Sequence, residues 1–176
     1  MTHRCFGSLL VFVLLLAAIV PARANDFPRL RTVDRNISAL LQEGLANSPS
    51  LRALVDRLAR GDVVVYLKCE RLPQYLDGRL TFVSAVGGFR YVLVLLASDR
   101  PPQRKIAALG HELQHAVEIA ERPAIVDQAS LARAYAEFGF ERRPAIWGVT
   151  AFDTVAAIDA GEQIRREITR SAGADD

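Results

Sequence analysis

The chain has 176 residues, with 22 Lys and Arg against 20 Asp and Glu, three His, two Cys and 51% hydrophobic residues. That length suits one domain with a single core. Near-balanced charge, with no basic stripe interleaved with aromatics, argues against nucleic acid as a partner.

Residues 1–24 read as a secretory signal: His3 and Arg4, an apolar run from Leu9 to Val20, then Ala22-Arg23-Ala24 as a cleavage site. The run of about twelve residues is too short to span a bilayer comfortably. The expectation is therefore an exported protein, periplasmic or secreted, with no stable membrane span after cleavage; the alternative is an uncleaved N-terminal anchor. Of the 22 basic residues, Arg4 and Arg23 lie in this segment, which leaves 20 against 20 acidic ones. Only Cys69 remains beyond it, so an intramolecular disulfide is excluded, and Cys69 reads as a small buried hydrophobe.

Residues 25–176 then form one domain. Leu30 to Leu45 and Ser50 to Leu58 carry helical spacing, separated by the break at Asn47-Ser48-Pro49. Asp62 to Cys69, Leu80 to Val86 and Tyr91 to Ala97 read as strands, the last two joined through Gly87-Gly88, a hairpin signal. A helix is expected over 103–122, after Pro101-Pro102 and before Pro123. A shorter one runs from Asp127 to Phe138 with Gly139 as its stop, and a last one from about Phe152 to Thr169. The class is α+β: two helices, a small antiparallel or mixed β-meander, then three helices.

The chemistry concentrates in His111-Glu112-Leu113-Gln114-His115, an HExxH sequence. Two imidazoles one helical turn apart can grip a single Zn²⁺, with a carboxylate beside them to act on water at the metal. His3 belongs to the signal, so both remaining histidines belong to this motif. On a helix stepping about 100° per residue, His115 falls about 40° from His111. Ile106, Leu109, Leu113, Ala116, Val117 and Ala120 fall on the opposite side, so they can dock on a core while the histidines face a cleft.

This order, a sheet leading into an HExxH helix and then a further helix, resembles the zincin metallopeptidases, and more narrowly the short gluzincin type. The resemblance covers about Asp62 to Arg166 and rests mostly on Leu109 to Ala116. It implies a zinc hydrolase fold and a peptide or protein substrate, with His111 and His115 as ligands and Glu112 as general base. It also implies an acidic third ligand on a later helix. The extended three-histidine pattern of metzincins is absent, because no histidine follows His115.

Two acids compete for the third position. Glu118 shares the ligand face, yet three ligands in successive turns of one straight helix converge poorly on a tetrahedral ion. It can pair with Arg122 four residues on, or orient a histidine by hydrogen bonding. Asp153 lies 38 residues after His115, expected in the first turn of the last helix, where Thr150-x-x-Asp153 also resembles a capping box. Asp153 is the expected ligand, although it is one methylene shorter than the gluzincin glutamate. Tyr135, Tyr91, Arg142 and Arg143 are candidates to stabilise a developing oxyanion. The competing reading is a non-catalytic metal-binding or protein-interaction domain, and a metal-dependent amidase would use the same residues.

Overall fold

A computed structural model describes residues 27–142 and 151–173. The proposed signal, 1–24, and Thr150 and Arg143 lie outside the described residues. The chain passes through β1 (Leu30–Arg31), α1 (Arg35–Asn47), α2 (Pro49–Ala59), β2 (Val63–Glu70), β3 (Gly78–Val86), β4 (Phe89–Ala97), α3 (Pro102–Ala120), α4 (Gln128–Phe138), β5 (Phe140–Arg142), β6 (Ala151–Asp153) and α5 (Val155–Ala172). This is an α+β arrangement, with one mixed four-stranded sheet and a small antiparallel pair, β5 and β6.

The first predicted helix starts late. Leu30 and Arg31 pair in parallel with Val65 and Tyr66 instead, and the Asp34 side chain accepts the Asn36 N–H to open α1. Ser48 does two jobs at the following break. Its backbone N–H donates to the Gly44 carbonyl to close α1, and its hydroxyl accepts the Leu51 N–H to open α2.

The sheet is mixed but is not a meander. Its order is β1-β2-β4-β3, with β2 parallel to β4 and β3 antiparallel to β4. The chain leaves β2, crosses to the far edge as β3 and returns through Gly87-Gly88 into the gap. Both glycines have positive φ, 61° and 77°, which L side chains rarely adopt. Burial explains the order. Val63-Val64-Val65 and Val94 to Ala97 are near-continuous buried runs, as central strands need, while Arg79, Val83, Ala85 and Val86 of β3 are exposed at the edge.

Val63, Val65 and Leu67 of β2, with Val92, Val94 and Leu96 of β4, meet Ile106, Leu109, Leu113, Ala116 and Val117 of α3 in one core, joined by α1 and α2. The opposite sheet face carries a smaller cluster, Leu72, Leu95 and Ala97, under the loop between β2 and β3. Among the described residues no helix is long and apolar enough to cross a membrane.

Arg90 anchors the end of α3. This buried guanidinium donates to the carbonyls of Ile119 (2.7 Å), Ala120 (3.1 Å), Arg122 (2.8 Å) and Ile125 (3.2 Å), and its Nε donates to Asp62 (2.8 Å). One cation thus gathers the carbonyls at and beyond the helix end, adding to the backbone N–H groups of Arg122 and Ile125 that Ile119 and Arg122 already accept, and fixes α3 against the sheet.

Candidate metal centre

α3 is buried from Ile106 to Ile119 with His111 as the half-buried exception, so it is enclosed rather than one-sided. The enclosure comes from α5, which runs antiparallel to it: Thr154 sits beside Glu118, while Gly161 sits against Ala107 and His111. Close approach requires small residues at the contact. A Cβ on Gly110 would fall 2.1 Å from Ile164 Cδ1, and one on Gly161 would fall 3.2 Å from His111 Cβ.

That packing brings Asp153 to the histidines. Asp153 Oδ1 lies 3.3 Å from His111 Nε2 and 3.5 Å from His115 Nε2. Ligand atoms of the three residues lie within 4.8 Å of one another, and the cluster could hold a metal ion. Asp153 does not sit in the first turn of a helix. It ends β6, paired with Phe140 of β5, and Thr154 is the N-cap, its hydroxyl accepting the Ala157 N–H. The strand pairing holds the Asp153 backbone, and its carboxylate also accepts the Thr154 N–H at 2.8 Å.

Glu118 stands behind the cluster. Its Oε2 lies 2.9 Å from His115 Nδ1, and it accepts hydrogen bonds from the hydroxyls of Tyr135 (2.9 Å) and Thr154 (2.7 Å). A proton on Nδ1 satisfies this arrangement and leaves Nε2, on the far side of the ring, to face Asp153 or a metal ion in place of a proton. Arg122 does not pair with the Glu118 carboxylate. It donates to the Glu118 backbone carbonyl and lies over the Phe138 ring.

The electrostatics fit a site that attracts positive charge. Burial alone would lower the pKa of His115, but hydrogen bonds to Asp153 and Glu118 outweigh it and raise the imidazole to about 9. Burial likewise opposes ionisation of Asp153 and Glu118, yet hydrogen bonds from the two histidines hold Asp153 well below the usual carboxylate range. His115, Thr154 and Tyr135 hold Glu118 down.

Glu112 is buried on the cleft side of α3, against β3. A Cβ on Gly78 would come 2.7 Å from Glu112 Oε1, so the strand approaches closely only because this residue is glycine. His111, Glu112 and Asp153 line a cleft of about 580 Å³, whose lining also includes Tyr75, Arg104, Phe140, Ile158 and Arg165.

Of the residues considered for an oxyanion, Tyr135 is buried and hydrogen-bonded to Glu118 and His115, so it braces the cluster from behind. Tyr91 stacks on Tyr66 on the sheet face opposite the helices. Arg142 ends β5, but its side chain, like all of Arg143, lies outside what the structure describes. Sequence reasoning missed Thr154 and Gly78. The first had a signal, a hydroxyl able to cap beside the candidate ligand; the second had none, because a glycine's neighbour across a cleft is not written in local pattern.

Comparison with known proteins returned no match: no family model, no curated protein and no solved structure. The resemblance to zincins therefore rests on the residues themselves.

Proposed function

We propose that the protein is an exported, zinc-dependent hydrolase acting on peptide bonds, with His111, His115 and Asp153 as the metal ligands and Glu112 as general base. The observation that carries this reading is the division of labour on α3. His111 and His115 turn Nε2 toward one carboxylate, while Glu112, between them in sequence, faces the cleft against Gly78. A site serving structure alone would have no need of that second carboxylate.

Zinc suits the donor set. Tetrahedral bonds of about 2.0–2.1 Å to nitrogen and oxygen place ligand atoms roughly 3.4 Å apart; the two histidine nitrogens lie 3.3 and 3.5 Å from the Asp153 oxygen, and all three ligand atoms lie within 4.8 Å of one another. Such an ion, when bound, supplies Lewis acidity, lowering the pKa of a water and polarising a carbonyl. The protein's own part follows from its side chains. Glu112 accepts a proton from the attacking water and returns it to the departing amine. Glu118, Thr154 and Tyr135 hold His115 and Asp153 in position. The outer edge of β3 pairs with no strand among the described residues and begins beside Glu112, so an extended peptide could add to it through backbone hydrogen bonds.

Metal analysis of purified protein, paired with hydrolysis of an unstructured peptide panel, tests the reading. One zinc per chain is expected in the wild type and none in His111→Ala. Glu112→Gln is expected to keep the metal while hydrolysis falls by about 10²–10⁴-fold. Metal retention with no cleavage of any peptide or amide would support a non-catalytic binding domain instead.

A further inference from the structure

The cleft carries its own balance of charge away from the metal cluster. Asp77 accepts hydrogen bonds from Arg100 Nε (2.8 Å) and Arg104 Nε (2.7 Å), and Glu162 lies 3.5 Å from Arg166. Arg165, exposed and also lining the cleft, makes no side-chain hydrogen bond or ion pair among the described residues. Its guanidinium offers a fork of donors suited to a planar carboxylate. Arg104 uses Nε for Asp77, so its terminal nitrogens remain to assist.

Helix register puts these two residues at the same end of the cleft. α3 and α5 are antiparallel, with Gly161 against His111 and Ala107. Arg165 is one turn beyond Gly161, about 6 Å along the axis, and Arg104 is two turns before His111, about 10 Å. An extended chain advances about 3.3 Å per residue, so a carboxylate held there lies some two or three residues from the metal cluster. Tyr75, Phe140 and Ile158, exposed large hydrophobic residues, line the same cleft, Phe140 at the cluster end where it pairs with Asp153. Exposed apolar side chains gathered in one concave surface suit a binding site.

We propose that Arg165, assisted by Arg104, forms a carboxylate-binding subsite that selects peptides presenting a carboxylate just beyond an apolar residue, on one side of the bond to be cut. The inference rests on the peptide-hydrolase reading for its substrate but not for its test. The carboxylate could be a free C-terminus or an acidic side chain, and the probes separate the two.

Calorimetric titration of the metal-loaded Glu112→Gln protein, which leaves bound peptide intact, should compare acetyl-Leu-Phe free acid, its C-terminal amide and acetyl-Leu-Glu amide. The free acid is expected to bind about five- to tenfold more tightly than the amide. With Arg165→Ala added, that ratio is expected to fall to about one, and with Arg165→Lys to recover in part. Tight binding of acetyl-Leu-Glu amide, also lost in Arg165→Ala, would assign the carboxylate to a side chain. An acid preference that survives Arg165→Ala would mean that the carboxylate sits on the metal, and would overturn the subsite, as would no preference or no binding in the parent. Unchanged melting temperature in Arg165→Ala excludes misfolding. If wild-type protein cleaves neither these peptides nor any of the wider peptide and amide panel while the Arg165-dependent preference persists, the subsite stands and the hydrolase reading fails.

Discussion

Asp153 and Glu118 are both buried carboxylates beside the HExxH histidines, and geometry separates them. Asp153 faces the Nε2 atoms of both rings, whereas Glu118 touches His115 at Nδ1. Asp153→Ala should therefore abolish or severely weaken metal binding, because it removes a ligand. Glu118→Ala should cost about 10–100-fold, the usual scale for losing a group that orients a ligand. Tyr135→Phe leaves the Glu118 bond to His115 in place and should cost less than Glu118→Ala. Competition with a chromogenic chelator measures all three. Loss of metal in Glu118→Ala with retention in Asp153→Ala would invert the assignment. The HExxH residues were legible because a 3.6-residue period alone puts His111 and His115 on one side. The role of Glu118 was legible only in outline, since both an Arg122 pair and a histidine contact satisfy the same helical spacing.

α3 carries His111, Glu112, His115 and Glu118, and its placement depends on contacts remote in sequence. Arg90, from β4, gathers four carbonyls at and just past the helix end. Arg90→Met would remove a charged donor from all four carbonyls, of which Ile119 and Arg122 keep a backbone N–H partner, and should destabilise the fold by on the order of 2–3 kcal/mol. Asp62, 41% exposed in its side chain, can be hydrated when its partner is weakened, so Asp62→Asn should cost about 1 kcal/mol or less. Denaturant unfolding of the two variants distinguishes a carbonyl cap from an ion pair: equal losses would show that the ion pair dominates. The bounds of α3 and α4 were readable from prolines, Asp127 and Gly139. The start of α1 was not, because Leu30 and Arg31 are helix-compatible and became a strand through pairing with β2.

Across the molecule, α5 is tied at both ends, to the metal cluster through Thr154 and to the break between α1 and α2 through Glu167. The Glu167 carboxylate accepts from the hydroxyls of Ser48 and Ser50, the Ser50 N–H (3.1 Å) and Gln163 (2.8 Å). Burial alone would raise its pKa, but these donors draw it down to about 2. A folded-state pKa below the unfolded value, near 4.5, stabilises the fold above pH 4.5, and the contribution is lost as pH falls from 4.5 toward 2. Glu167→Gln should therefore melt lower than wild type at pH 7, by a deficit on the order of 2 kcal/mol. The two should converge at about pH 2, as thermal unfolding across that range will show. The proposal that residues 1–24 are an export signal cleaved after Ala24 predicts Asn25 as the first residue of the exported protein by N-terminal sequencing. Retention of Met1 on membrane-bound material would indicate an anchor instead.

The sequence by itself determined the class, the helical HExxH pair, the hairpin glycines and the order of the five helices and three long strands, because each depends on residues within a few positions of one another; the short strands β1, β5 and β6 exist only through pairing. Only the tertiary structure decided that β3 lies outside β4, a matter of which runs are apolar enough to be buried on both faces. It alone brought Asp153 to the histidines from the end of a strand, since strand pairing with β5 and the close passage of Gly161 past His111 are contacts across long chain separations. It also turned Tyr135 from a possible catalytic donor into a brace for Glu118. Local periodicity can say which side of a helix a residue occupies; which neighbour arrives there is settled by packing.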